Sequence, residues 1–277
     1  MPIELPPGTA AHSEDSSPDT SNRQLLVIGG LFLAFVVGLI WLFVTLITNL
    51  VLLLPPSVEQ QLGAVMVPAF EQQAKSSPTQ DTLNQLLDSL EQHLPADKRR
   101  DYRVLYIPQD VVNAIAIPGD RVIIYKGLLA EAGSENEVMM VLGHELGHFV
   151  NRDHLRGIGR GLAIQLLLAV FLGDAGAIQN VAISGVARIS QARFSQAQEL
   201  KADEVGLTLL AQHYGQVAGA TDFFERISRL PGANIAFLST HPAPRKRVAE
   251  LRRLIRQRGY AMGTKVPLPP ALAVGDK

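Results

Sequence analysis

The sequence predicts an α+β protein, mostly α-helical, with a small antiparallel sheet and an N-terminal transmembrane helix. Three observations carry that prediction. Leu25 to Leu54 is a run of thirty residues without a charge. Between residues 103 and 125, three short β-branched segments follow a period of two, and most other apolar residues recur at intervals of three and four. A chain of 277 residues that is 47% hydrophobic has material for one large core or two small ones.

Residues 1–23 are rich in Pro, Ser and Asp, lack apolar periodicity, and read as a disordered tail. The uncharged run that follows would be about 45 Å long as a helix, against a hydrocarbon core of about 30 Å. Residues 24–55 are therefore assigned as a single-pass anchor in the lipid bilayer. A cleavable signal peptide fits less well, because its apolar region is usually about 7–15 residues long and nearer the N-terminus. Pro55 and Pro56 end the span. Arg23 before the run, against only Lys75 within reach after it, favours a cytoplasmic tail and an extracytoplasmic main domain.

Helical sequence follows over Ser57 to Lys75 and Thr79 to Leu94; in the second, Leu83, Leu86, Leu87, Leu90 and Leu94 share one face. The period then changes to two in "RVLYI" (Arg103 to Ile107), "NAIAI" (Asn113 to Ile117) and "RVIIY" (Arg121 to Tyr125). Pro118-Gly119-Asp120 joins the last two as a hairpin. Ser134 with Glu137 fits a capping box, opening a helix through "VLGHELGHFVNRDH" (Val141 to His154). The twelve mostly apolar residues from Gly161 to Leu172 are short for a span, so residues 161–187 are expected to form a helical hairpin that caps the site or touches the bilayer surface. Helices are expected again over residues 192–211, 216–230 and 244–258. The last carries seven Lys or Arg against one Glu, with Val248, Leu251 and Ile255 on an apolar face, as in a docked amphipathic helix. Residues 261–277, rich in Pro and Gly, are expected to be a flexible tail, leaving residues 57–260 as the folded domain.

With no cysteine, disulfides, thiolate metal sites and cysteine nucleophiles are excluded, and any metal must be held by His, Asp or Glu. A formal net charge of -1 gives no global attraction to nucleic acid, and no groove-reading motif accompanies the basic helix. His144 and His148 are four apart, one helical turn from each other on one face. Two imidazoles so placed bind one Zn²⁺, and Glu145 beside the first reaches a water on the metal. Gly143 and Gly147, each costing about 1 kcal/mol against alanine in a helix, make a smooth stripe where another element can come close.

Two candidates compete for the third ligand. His154 follows His148 by six residues, as in H-E-x-x-H-x-x-G-x-x-H proteases, but Asn151 stands at the glycine position and the only downstream methionine is Met262, in the tail. Glu199, in "SQAQELKADEVG" (Ser195 to Gly206), is the better candidate, since a carboxylate facing two histidines gives a His₂Glu set. Asp203, one turn on, is placed to accept the free N–H of a ligating histidine.

These motifs resemble those of the HtpX-like and CAAX-prenyl-protease-like membrane zinc metallopeptidases, a branch of the gluzincins, whose catalytic domain is zincin-like. The resemblance spans residues 57–254 and rests on "NAIAIPGDRVIIYKGLL" (Asn113 to Leu129), "HELGH", "ELKAD" (Glu199 to Asp203) and "STHPAPRKRVAEL" (Ser239 to Leu251), in that order. It implies that His144, His148 and Glu199 bind one zinc per chain, that Glu145 is the general base, and that Asp203 supports the site or helps in proton transfer. Asn113 and Ala114 would lie on an edge strand along the cleft, where a peptide substrate pairs main chain to main chain. His241 and Arg247 match the family's His-Pro and downstream Arg positions; facing the cleft, they would stabilise the oxyanion or occupy the metal's open position at rest. The expected function is a membrane-anchored zinc endopeptidase acting on polypeptides in protein quality control or processing. Its rival is a zinc-stabilised, non-proteolytic adaptor or chaperone, against which Glu145 argues, because a purely structural site has no use for a base.

Overall fold

The uncharged run folds as one continuous helix, α1 (Asn22–Leu50), in a computed structural model that describes residues 22–172, 193–230 and 235–273. At 29 residues it is about 44 Å long. Among the described residues it is the one helix, counted to Leu53, long and apolar enough to cross a membrane, and none of its residues is buried. It starts at Asn22, so the last two residues of the expected tail are helical; residues 1–21 lie outside the described residues. The chain divides into two units between Phe43 and Val44, within this helix.

The second unit begins with the last turns of α1. There Thr48 and Asn49 turn their polar groups back onto the carbonyls of Val44 and Thr45, satisfying them within the helix. A 3₁₀ turn, Val51–Leu53, and the extended Pro55 lead into α2 (Pro56–Glu71), with Pro56 at its first position. Helix α3 (Pro78–Glu91) opens on Ser77, whose hydroxyl accepts from the Gln80 N–H. The leucine stripe faces inward as its spacing predicts: Leu83, Leu87, Leu90 and Leu94 are buried.

Three strands follow: β1 (Arg103–Ile107), β2 (Ala114–Ile117) and β3 (Arg121–Tyr125), in the order β1-β3-β2. The sheet is mixed rather than wholly antiparallel. β2 pairs antiparallel with β3 across a tight turn in which Gly119 and Asp120 both take positive φ, so β2 fills one side of β3. β1 takes the other side and runs parallel to it. The period of two sorts the sheet's residues between two cores. Val104, Ala114, Ala116, Val122 and Ile124 join the main core with α3, while Leu105, Ile107, Ile115, Ile117 and Ile123 pack with Met66, Val67 and Phe70 of α2.

After α4 (Lys126–Glu131), Ser134 caps α5 (Glu135–Val150), the helix through the centre of the domain, buried from Asn136 to Phe149. The reciprocal half of the expected capping box goes elsewhere: Glu137 accepts from the Gly133 N–H and pairs with Arg226. Arg152, with φ of 56°, turns the chain into α6 (Asp153–Leu172). The remainder of the expected hairpin, residues 173–187, lies outside the described residues. Helix α7 (Gln196–Tyr214) opens on a complete Ser195/Gln198 capping box, and α8 (Asp222–Ile227), α9 (Ala236–Thr240) and α10 (Pro244–Arg258) follow. Val248 and Leu251 bury the apolar face of α10. Residues 261–273 do not fray as their composition suggests. Their main chain bonds to Val217 and Glu135, and Leu272 is buried, so this extended strap closes part of the core.

Candidate metal centre

Among the described residues the most extensive helix packing is that of α5 against α7, and the glycines allow it. A Cβ at Gly143 would stand 3.0 Å from the Gly206 Cα, and one at Gly147 would stand 2.7 Å from the Cα and carbonyl oxygen of Ala202. The two backbones are therefore nearly in contact, and the face of α5 beside the glycine stripe meets the first turns of α7.

His144, His148, Glu199 and His241 meet there, all buried, each offering one ligand atom within 4.8 Å of the others. The Nε2 atoms of His144 and His148 are 3.1 Å apart. His241, at the end of α9, places its Nδ1 3.2 Å from the His144 Nε2 and 3.0 Å from Glu199 Oε1. Glu199 oxygens lie 3.7 Å from the His144 Nε2 and 3.6 Å from the His148 Nε2. For metal–nitrogen bonds of about 2.0–2.1 Å in a tetrahedron, ligand atoms would be about 3.3–3.4 Å apart. Glu199 Oε1 faces the histidine nitrogens while Oε2 lies 2.7 Å from the Arg247 guanidinium, so the carboxylate is held ionised with one oxygen turned to the cluster. The donor set, imidazole and carboxylate only, fits a divalent metal.

Each α5 histidine has its outward nitrogen held by a carboxylate. Asp203 Oδ1 is 3.0 Å from the His144 Nδ1, and Asp153 Oδ2 is 3.1 Å from the His148 Nδ1. An acceptor there fixes the proton on Nδ1 and leaves the Nε2 lone pair for a metal. Arg247, buried on the first turn of α10, donates twice to Asp203, at 2.7 and 2.6 Å, and pairs with Glu199 Oε2 at 2.7 Å. Its guanidinium sits 4.4 Å from the centre of the Phe224 ring. Phe194 stacks on His148 at 3.9 Å and Phe237 on His241 at 4.2 Å, setting both ring planes.

Glu145 is buried, and among the described residues neither of its oxygens has a hydrogen-bond partner of good geometry; the Ala116 main chain lies beside it and the His241 Nε2 is 3.7 Å from one oxygen. Burial pushes its carboxyl up to about 7; the nearby His148 opposes that and Glu199 adds to it. Burial and the Arg247 charge bring His144 down to about 3. Burial likewise takes His241 well below the ordinary histidine value, with His148 and Arg247 adding to the effect. Against its burial, Asp153 and the surrounding glutamates raise His148. Burial would raise Asp203, but Arg247 holds it well below the usual carboxylate range.

The sequence-predicted site residues are thus brought together, with the exception of Asn113, and His154, the candidate passed over for Glu199, stays outside. Asn113, although buried, turns its side-chain oxygen onto the Ala114 N–H. Ala114 and Ala116 lie on β2, the edge strand beside α5, and their main chain acts on His241 and Glu145. His154 is not in the cluster; its Nε2 bonds Glu59 Oε1 at 2.7 Å. Sequence reasoning missed Asp153, Phe194, Phe237 and Ala116. Only Asp153 carried a signal, an acidic residue just beyond the metal-binding helix.

The model of peptidase family M48 matches residues 77–255. The chain is 33% identical over 150 residues to the mitochondrial metalloendopeptidase OMA1 of Arabidopsis thaliana, covering 53% of this chain and 30% of that protein. It is 26% identical over 177 residues to the OMA1 of Saccharomyces cerevisiae, covering 61% and 48%, and 30% identical over 157 residues to the metalloprotease LoiP of Escherichia coli, covering 55% and 61%. Less than two thirds of each relative's length is therefore spanned.

Proposed function

The chain belongs to peptidase family M48, and from that premise we propose that it is a membrane-anchored, zinc-dependent endopeptidase acting on polypeptides in protein quality control or processing. The observation that carries this reading is the convergence of His144, His148 and Glu199 beside a buried Glu145 whose oxygens have no hydrogen-bond partner of good geometry among the described residues. These three residues would hold the metal. Zinc, when bound, supplies a Lewis acid that polarises the scissile carbonyl and acidifies a water. Glu145, with a carboxyl near neutral in affinity, takes the proton from the attacking water and passes it to the leaving amine. Asp203 keeps the His144 proton on Nδ1, and Arg247 locks Asp203 and Glu199 together while placing a fixed positive charge behind them.

Among the described strands none pairs with the outer edge of β2, from Asn113 onward, which supports recognition of an extended peptide by strand addition with little demand on sequence once the Asn113 side chain leaves the Ala114 N–H. At rest His241 occupies the fourth position of the cluster, so substrate entry requires its ring to swing aside. Residues 24–55 form the bilayer anchor, with the catalytic domain on the extracytoplasmic side; an enzyme reporter active only outside the cytoplasm, fused to the C-terminus, is expected to be active.

The direct test is a casein digest by the purified full-length protein, with its metal content measured in parallel. The expected result is one zinc per chain and cleavage that a chelator abolishes and added zinc restores. Bound zinc without cleavage would favour the adaptor reading, and absence of bound metal would remove the metal centre.

A further inference from the structure

The turn that ends the metal-binding helix sends three consecutive side chains inward, and the middle one touches a metal-site histidine. Asp153 is fully buried. Its Oδ2 faces the His148 Nδ1, and its Oδ1 accepts from Gln198 Nε2 at 2.8 Å and from Arg156 at 3.0 Å. On one side Arg152 donates to the carbonyls of Leu52 and Leu54 at 2.7 and 2.8 Å and pairs with Glu59 at 3.2 Å. On the other, His154 bonds the second oxygen of Glu59. The turn is thus mounted on the segment where the apolar helix gives way to α2.

We propose that Asp153 is the positioning residue of the metal ligand His148, held in place through Arg152 and His154 by Glu59 and the exit of the anchor helix. The inference rests on the metal centre proposed above. The two histidines need the same service by different routes. His144 receives it from Asp203, within the Glu-x-x-x-Asp pattern of α7. No residue of that pattern touches the His148 Nδ1, and Asp153 supplies the acceptor from outside it. The carboxylate is itself clamped by two donors, and the imidazole is oriented from two sides, by Asp153 at its Nδ1 and by Phe194 against its face. Asparagine at this position would fit the same space, although in the first turn of α6 it forgoes the favourable helix-dipole interaction of a negative charge. Its amide N–H, turned to the ring, would instead favour the proton on Nε2, where the metal must bind.

The test uses the full-length protein in detergent. Zinc affinity is measured by competition with a chromophoric chelator, and the cobalt-substituted protein gives the visible spectrum of the site. Asp153→Asn is expected to lower zinc affinity by about 10–100-fold and to shift the cobalt bands. Because it also breaks the ion pair with Arg156, Arg156→Gln, which breaks that pair and leaves Asp153 in place, is the control. That variant is expected to lower the metal-free melting temperature similarly, with only a several-fold loss of zinc affinity. Asp153→Glu is expected to recover part of the affinity. Gln198→Met, which removes one clamp and half of the α7 capping box but no ligand, is expected to weaken zinc binding by several-fold. With Ser195→Ala, which breaks the capping box alone and is expected to keep wild-type affinity, it decides the matter if Asp153→Asn does not fold. Wild-type affinity in Asp153→Asn or Gln198→Met, or a loss of zinc affinity in Arg156→Gln as large as in Asp153→Asn, overturns the proposal. If the wild-type protein binds no zinc, the metal centre itself fails; if it binds zinc and the variants bind equally well, only the role of Asp153 fails.

Discussion

Glu145 shows how much of the chemistry is set by one side chain's surroundings. It lies among apolar and charged neighbours, its oxygens without a hydrogen-bond partner of good geometry among the described residues, and burial brings its proton affinity near neutrality. Glu145→Gln keeps the shape and removes the base, so it is expected to retain zinc and lose proteolysis by about 10²-fold or more. Full turnover in that variant would remove Glu145 as the base. His241 is expected to matter in another way, because its Nδ1 sits among the ligand atoms. His241→Ala should change both the retention of zinc against a chelator and the rate of proteolysis; if neither moves, His241 is not part of the centre. At this scale the sequence was informative where spacing within one helix decides geometry. His144, Glu145 and His148 follow from one turn of α5, and Glu199 and Asp203 from one turn of α7. Asp153 was not legible, because its contact with His148 depends on the positive φ of Arg152, which nothing in the neighbouring residue types requires.

Helices α5 and α7 carry the site, and their spacing is fixed by small residues rather than by ligands. Gly147→Ala gains about 1 kcal/mol of helix propensity but puts a methyl group 2.7 Å from the Ala202 backbone. Overpacking of that kind costs about 1–3 kcal/mol. The expected outcome is a lower melting temperature and weaker zinc binding, since the two halves of the ligand set sit on the two helices. Gly161→Ala, in α6, meets nothing within 4 Å among the described residues and is the control; it is expected to hold or raise the melting temperature. A Gly147→Ala protein as stable as the wild type would show that the helices do not pack as described. The elements themselves were readable from period and caps, as Ser77, Ser134 and Ser195 show by accepting the expected backbone N–H groups. What was not readable is pairing between distant segments. The parallel partnership of β1 with β3, and the strap of residues 261–273 that buries Leu272, are decided by tertiary packing that local composition does not encode.

At the scale of the whole molecule, one buried acid joins the end of the anchor helix, the sheet and the metal-site turn. Glu59 pairs with His154, Arg152 and Arg100, and Arg100 also holds Asp120 in the β2–β3 turn. Burial alone would raise its pKa; His154 first and Arg100 next bring it from 4.5 down to about 2. A folded-state value below the unfolded one stabilises the ionised form, so the contribution is complete above pH 4.5 and is lost as pH falls toward 2. Glu59→Gln is expected to lose about 3 kcal/mol at neutral pH, as breaking a buried ion pair does, and to show a shallower loss of stability on acidification. Urea unfolding at pH 7 and pH 3 checks both statements, and unchanged stability at pH 7 would contradict them. Every step of the proposed chemistry depends on the metal centre, which anomalous X-ray scattering at the zinc edge locates. It is expected to show one peak per chain, about 2.0–2.2 Å from the Nε2 atoms of His144 and His148 and from a Glu199 oxygen; a peak at His154, or none in a protein supplied with zinc, would contradict it.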